Sequence, residues 1–365
     1  ARLHAPVRNV LVVPGPLVPC FPPTASVLHV AMARVFRRFL LLVLALVAVA
    51  AGLWFWASSG TLSSDELAQT RTYAEADSVS DTLSVMTYNI GYLSGMTNNL
   101  PVERDRALFD SNLASAIEMI DGVDPDVIAF QEIDFDAARS FQVHQLDTLA
   151  QRLSYASAAQ AVNWDVRYLP FPYGWPSVHF GRVLSGQAFL SRYPIVDHRR
   201  HVLAKTSRPY VSRVFYLDRL AQVADVVIGT DTLSIVNVHL EAFEEPQRET
   251  QAAEVRQLVA PLIASGRPVL LVGDFNAIPG DSDDETLRRV TSGLSLKRAM
   301  PDTTQHAGTY PGDDPQRLID HIFYAPDRIT PIRARIDCGP SEAPPSDHCA
   351  VTMTFQLPAN ENTSP

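Results

Sequence analysis

Residues 39–56 (FLLLVLALVAVAAGLWFW) carry no charge, and this run constrains the chain more than any other feature. As a helix it extends about 27 Å, close to the hydrocarbon thickness of a bilayer. It is apolar on every face, so it has no polar side to offer water at the surface of a globular fold. Arg34, Arg37 and Arg38 precede it, Trp54 and Trp56 close it, and the first acid is Asp65. Basic residues before the run and aromatics at its far end describe a signal anchor with a cytoplasmic N-terminus and an extracytoplasmic remainder. Ala48-Val49-Ala50 also resembles a cleavage site, which would release a secreted domain. The Trp-Phe-Trp left near such a mature start is unusual, so the uncleaved anchor is the reading taken here.

The run divides the chain. Residues 1–31 are rich in Pro and apolar residues without a period, and Met32 stands directly before the Arg-flanked segment. Met32 therefore reads as a natural start, with 1–31 a disordered or non-native extension. The expected order continues with the anchor at 32–57, a polar linker at 58–81, a globular domain at 82–358 and a tail at 359–365.

Charge narrows the function. Five of the 30 Lys and Arg residues and none of the 40 acids fall within residues 1–60, leaving 25 basic against 40 acidic residues, a formal −15, on the rest. Affinity for phosphate backbones comes largely from Lys and Arg. No Lys/Arg cluster stands in the globular part, which disfavours a general nucleic-acid binder; a nuclease that offsets its field with bound cations is not excluded. Cys338 and Cys349 are eleven residues apart and either form a bridge in an oxidising compartment or stay as two partly buried thiols. Cys20 lies upstream of the apolar run, and no CxxC or Cys/His cluster suggests zinc.

From residue 82 onward short β-rich runs alternate with helical stretches. Strands are expected at 83–89, 126–131, 186–190, 222–228, 232–240, 269–273, 318–324 and 350–357, and helices at 109–119, 143–153 and 249–263. Gly229-Thr230-Asp231 turns the fourth strand into the fifth. No internal repeat is visible. The pattern fits a layered α/β or α+β domain.

Polar residues recur where apolar runs end. Asn89 follows SVMTY, Glu132 follows VIAFQ, and His239 lies in IVNVHL. Asp274 and Asn276 follow VLLVG, Asp320 lies in LIDHIF, and Ser346-Asp347-His348 stand together near the C-terminus. Singly, each has an ordinary explanation: Asn89 caps a turn, Glu132 pairs with an arginine, His239 is a satisfied core histidine. Together they suit one task. Hard oxygen donors suit Mg²⁺ or Mn²⁺. Asn and His hold phosphate oxygens, and an Asp–His pair manages a proton.

The segments MTYNI, DVIAFQE, GQAFLSRYPI, VNVHL, VGDFNAIP, IDHIF and SDHCAV, in this order across about residues 82–357, resemble the endonuclease/exonuclease/phosphatase family. The resemblance implies a four-layered α/β (α+β) sandwich of two packed, mostly antiparallel sheets flanked by helices, as in DNase I. It implies a monomeric hydrolase of phosphodiesters or phosphomonoesters that uses Mg²⁺, with Mn²⁺ the alternative. Glu132 resembles the principal metal carboxylate, Asn89 the amide beside it, and Asp347 a second carboxylate on the metal side. Asp274 resembles the residue that orients or deprotonates the attacking water, and Asn276 its phosphate-holding partner. His239 resembles a phosphate-oxygen contact; no second Glu partner for it is apparent. His348 resembles the catalytic imidazole, and Asp320 the carboxylate that orients it. The implied reaction is one-step, in-line attack of water on phosphorus.

Substrate choice stays open at this level. Residues 163–182 hold Trp164, Tyr168, Phe171, Tyr173, Trp175 and Phe180, either as an aromatic loop for a base or a lipid surface, or as a patch packed on the domain. Arg208 and Arg213 either meet phosphate or stand in solvent. The functions in play are a sphingomyelinase-like lipid phosphodiesterase, a tethered extracytoplasmic nuclease on DNA or RNA, and a catalytically silent binding module. The last is disfavoured because no expected residue is missing.

Overall fold

The computed structural model describes Gly15, residues 25–300 and residues 308–358. The chain divides into two units, Ala1–Phe55 and Trp56–Pro365. The first contains most of helix α1 (Ala25–Ser58). The most apolar 18 residues of this helix have a mean hydropathy of 2.6, and none of them is buried against protein. This is the one described helix long and apolar enough to cross a membrane. The helix begins seven residues before Met32, so part of the expected extension is helical. Otherwise that extension, apart from Gly15, lies outside the described residues, as does the tail 359–365.

The second unit is the four-layered sandwich. One sheet holds β1 (Ala68–Thr72), β2 (Leu83–Asn89), β3 (Val127–Asp134), β4 (Ser157–Leu169), β5 (Gly181–Ser191), β12 (Thr330–Asp337) and β13 (Ala350–Gln356), in the order β1-β4-β5-β3-β2-β13-β12. The other holds β6 (Ile195–Val202), β7 (Leu220–Ile228), β8 (Asp231–His239), β9 (Val269–Asp274), β10 (Lys297–Arg298) and β11 (Asp320–Tyr324), in the order β10-β11-β9-β8-β7-β6. Helices α2 (Arg106–Val123), α3 (Gln145–Arg152), α4 (Tyr210–Arg213), α5 (Glu245–Ala264) and α6 (Thr286–Thr291) complete the unit.

The layers follow from period-two alternation in strands apolar on both faces. Val85, Val127 and Ala129 of the first sheet share a core with Ile235, Leu270 and Val272 of the second. Their chain neighbours Met86, Ile128 and Phe130 point the other way, onto Phe109, Ile120 and Leu149 of α2 and α3. Val236, Val238 and Leu271 pack likewise with Ala252, Val255 and Val259 of α5. A polar tie crosses the inter-sheet core: Gln131 donates to the Asn237 side-chain oxygen at 2.6 Å, and Asn237 donates to the Phe130 carbonyl at 2.9 Å. The tie adds register between the sheets, with Asn237 satisfied and the Gln131 Oε1 atom left without a partner among the described residues.

Each sheet is antiparallel except for one central parallel pair: β2 with β3, and β8 with β9. Parallel neighbours need a long crossover, and α2 and α5 supply the two. Each parallel pair therefore ends its two strands on the same edge of its sheet, the arrangement that makes a crevice at carboxyl ends.

The stretch expected to be a polar linker is partly sheet. β1 pairs antiparallel with β4 from Ala68 opposite Ala161 to Thr72 opposite Ser157. Leu62, Leu67 and Tyr73 pack against the first outer core. Edge strands are exposed along one side, so their sequences read as tether. The same reason hid β6 and β12, both edge strands with half of their residues exposed. The strand β4 was missed because its buried start, SAAQA, is small rather than β-branched.

Candidate active site

The ends of the two parallel pairs supply the first four groups. Asn89 ends β2, Glu132 lies near the end of β3, His239 ends β8 and Asp274 ends β9. In register, His239 pairs with Asp274, and Asp274 pairs with Asp320 across β11. Directly opposed residues share a face, so His239, Asp274 and Asp320 form a row across three adjacent strands. Gly273 permits this: a Cβ there would lie 2.0 Å from the Val238 carbonyl oxygen, and its φ is 138°.

Glu132 leaves the regular pleat. Its φ is 51°, at a register shift between Phe130 and Ile133 in the β3–β5 pairing. A bulge re-aims a side chain, and a non-glycine residue at such a φ is held there by its surroundings. Asn276 also has a φ of 51°, closing a turn in which its N–H donates to Asp274 Oδ1 at 2.9 Å. Asn tolerates that conformation better than most residues.

Two clusters result. In the first, His348 Nδ1 lies 2.9 Å from Asp320 Oδ2, and His348 Nε2 lies 3.9 Å from Asp274 Oδ2. Asn89 donates to Asp274 Oδ2 at 3.0 Å, and His239 Nε2 stands 3.4 Å from the same oxygen. In the second cluster, the Asn98 amide donates to Glu132 Oε2 at 3.0 Å and to Asp347 Oδ2 at 3.2 Å. His239 Nε2, 3.8 Å from Glu132 Oε1, joins the two. The loop before β13 is locked to β2: Ser346 Oγ donates to the Asn89 carbonyl at 2.7 Å and accepts from the His348 N–H at 3.1 Å.

Burial sets the charges. It pushes the Asp274 carboxyl up to about 6, aided by the Asp320 charge beside it. It pushes Asp347 up to about 6, with Glu132 adding to the effect, and raises Glu132 itself. Burial opposes the His348 cation, but Asp320 and Asp274 together outweigh it and lift the imidazole to about 10. His239 goes the other way: burial, then the charges of Arg219 and His348, depress it well below the usual imidazole range. The site thus pairs a cationic with a neutral imidazole.

A hard divalent cation fits the second cluster. Two half-buried carboxylates face one amide, both are driven towards protonation, and Asn98 Oδ1 has no partner among the described residues. By spacing alone, another trio is tight: ligand atoms of Asp274, Asp320 and His348 lie within 4.8 Å of one another. There the imidazole is already spent on Asp320 and favours its protonated form, which opposes ligation.

All eight sequence-derived residues converge on this edge, and three others join them unforeseen. Asn98 sits in a polar turn with no apolar run before it and carries no sequence signal. Arg219 is buried, 3.5 Å from Glu241 Oε2 and 3.2 Å from the Tyr216 hydroxyl, and its charge reaches Glu132 and His239. It directly precedes β7, whose Leu220 pairs with His239. Its signal was available: in an antiparallel neighbour the residue before the strand reaches the same edge. Tyr310 stacks beside His348 with ring centroids 5.0 Å apart. Arg208, with its side chain 35% exposed, stands 3.6 Å from Glu244 and over the Tyr216 ring. Arg213 approaches the Tyr210 ring. The aromatic stretch divides, with Trp164 and Phe180 in a buried cluster and Tyr173 and Trp175 outside it. Cys338 and Cys349 are bridged rather than free.

Comparison with known proteins follows the geometry. The model of the Endonuclease/Exonuclease/phosphatase family matches residues 86–348. Truncated TDP2 from Caenorhabditis elegans superposes with a TM-score of 0.52 at 19% identity, covering 76% of this chain and 98% of that one. The human Nocturnin catalytic domain with bound sulfate gives 0.53 at 17% identity, covering 80% and 98%. The mannosyl-6-phosphatase Bt3783 of Bacteroides thetaiotaomicron gives 0.51 at 19%, covering 75% and 100%. At these identities the superpositions speak for the fold. No curated protein sequence matches the chain.

Proposed function

The chain belongs to the endonuclease/exonuclease/phosphatase family, and from that premise we propose that it is a Mg²⁺-dependent phosphodiesterase, anchored by α1 with its catalytic unit outside the cytoplasm. As a family member it is a metal-dependent phosphoric ester hydrolase. The observation that carries the finer reading is the meeting of two clusters on one edge: an Asp320–His348 pair at 2.9 Å, and a Glu132–Asp347 pair bridged by one amide. All of these groups come from one chain, so a monomer suffices.

Glu132 and Asp347, with Asn89 alongside, would hold the cation, whose charge neutralises the phosphoryl and leaving oxygens when bound. Asp274 orients the attacking water and accepts its proton; a carboxyl near 6 suits that transfer at neutral pH. His348 is held cationic by Asp320 and donates towards a phosphoryl oxygen. His239, kept neutral by burial, offers one N–H to a phosphate oxygen without competing for the proton. Asn276 spends one amide N–H on the Leu240 carbonyl at 3.1 Å and keeps the other for phosphate.

The formal −15 outside residues 1–60 favours a lipid or small phosphodiester over a nucleic-acid polymer. The Cys338–Cys349 bridge and the Arg-flanked apolar helix support an extracytoplasmic catalytic unit. The test is release of p-nitrophenol from bis-p-nitrophenyl phosphate by the full chain in detergent. Activity should need Mg²⁺ and vanish with a chelator. His348→Ala and Asp274→Ala should each lower kcat about 100-fold or more. Near-normal turnover in both variants would sink these roles, and plasmid nicking faster than diester cleavage would reverse the substrate preference.

A further inference from the structure

The loop between β4 and β5 has a buried base and a bare tip. At the base, the Phe180 N–H donates to the Phe171 carbonyl at 2.7 Å, and Tyr168 meets His179 Nδ1 at 2.7 Å. Phe180 is buried with Trp164, Val183 and Tyr92, and Phe171 packs against them. At the tip, Tyr173 is 84% and Trp175 83% exposed. Tyr173 meets the Phe171 ring edge-on, with centroids 5.9 Å apart, and otherwise both tip rings stand in water. Trp and Tyr rings, apolar with one polar atom, settle at the headgroup level of a bilayer.

Register places this tip on the catalytic edge. Ser185 of β5 pairs with Asp134 on one side and Trp164 on the other, and β4 then runs on to Leu169 opposite Gly181. The end of β4 therefore overhangs the edge to which Glu132 belongs. The chain leaving α1 is fastened at the same place. Ser59, one residue past that helix, accepts from the Arg167 N–H at 3.1 Å and from Arg167 Nε at 3.0 Å. The Thr61 N–H donates to Asp165 Oδ2 at 2.6 Å. Arg167 precedes Tyr173 by six residues. Chain continuity alone then keeps the catalytic edge and its aromatic tip within reach of any bilayer that holds α1.

We propose that Tyr173 and Trp175 form an interfacial anchor that seats the catalytic edge on the bilayer crossed by α1, and that the substrate is a phosphodiester carried by a lipid of that bilayer. The inference rests on the anchor reading above and adds a docking surface and a substrate class to it. The acidity of the unit sets the kind of surface. Anionic headgroups repel a formal −15, so insertion of the rings into a zwitterionic surface supplies the contact.

The experiment uses the full chain reconstituted in phosphatidylcholine vesicles with brominated acyl chains. Trp54 and Trp56 are quenched in any anchored chain, so the Trp175→Phe variant isolates the tip: the quenched fluorescence should fall in it. In a second arm, Tyr173→Ser with Trp175→Ser should lower kcat/KM about tenfold on a vesicle-borne p-nitrophenyl ester of phosphatidic acid. Hydrolysis of bis-p-nitrophenyl phosphate should stay within twofold. Quenching untouched by Trp175→Phe overturns the docking surface. An equal loss on both substrates overturns it as well and points to stacking on the substrate itself. An unchanged rate on the vesicle-borne ester overturns the lipid substrate. Extraction of the full chain by alkaline carbonate sinks the anchor reading, whereas an anchored chain with an unquenched Trp175 sinks this inference alone.

Discussion

The residues of the site were chosen for charges that burial makes costly. Asp274 and Asp347 stand near 6 instead of near 3.8, and His348 near 10 instead of near 6.5. Between about pH 4 and 6 the folded, metal-free chain therefore binds more carboxyl protons than the unfolded one, so stability falls as pH rises through that window. The His348 contribution is fully present below about 6.5 and is lost as pH rises towards 10. Both effects have the same sign, while His198, His239 and His321, depressed by burial below the usual imidazole range, oppose them below about pH 6.5. The melting temperature of chelator-treated chain should therefore decline from pH 7 to pH 9, by about 5 °C, and Mg²⁺ should restore more at pH 8 than at pH 5. Calorimetry at matched salt checks this, and an equal Mg²⁺ increment at both pH values would contradict the charges assigned to the Glu132–Asp347 pair. At this scale the sequence was informative wherever a polar residue closes a β-rich run. It was silent at Asn98, whose importance comes only from the two carboxylates brought to it.

At the scale of elements, the two β–α–β units decide where chemistry collects. They share no visible sequence repeat, because what they share is strand direction, which different residues satisfy equally. The loop from β12 to β13 is the other decisive element. Its Cys338–Cys349 bridge continues the ladder one step beyond Asp337 opposite Ala350 and encloses the segment bearing Asp347 and His348. A closed loop of this size constrains the unfolded chain by about 3 kcal/mol. Reduction by a dithiol should lower the free energy of unfolding in urea by about that much, and should lower kcat several-fold by loosening the loop. Unchanged unfolding and turnover after both thiols are alkylated would show that the Ser346 and Thr309 contacts hold the loop unaided. Spacing had left bridge and free thiols open, since eleven residues fit either.

For the whole molecule, residues 56–365 carry their own inter-sheet core and two outer cores, so the catalytic unit should not depend on α1 for folding. A chain starting at Ser59 should be soluble without detergent and hydrolyse bis-p-nitrophenyl phosphate within twofold of the full chain; aggregation, or a loss beyond tenfold, would show that the helix is part of the fold. Residues 59–67 must be kept, because Leu62 and Leu67 pack on the core. The apolar helix, the layered class, the central strands and the eight candidate polar residues beside them were legible in the sequence by itself, because burial leaves a local period that can be read along the chain. Only the tertiary structure decided that Asp320 faces His348, that Arg219 and Asn98 enter the site, that β1 closes a sheet edge, and that the aromatic tip overhangs the catalytic edge. Those facts depend on which strands become neighbours and in what direction, and sheet order is set by contacts between distant segments that no local pattern records.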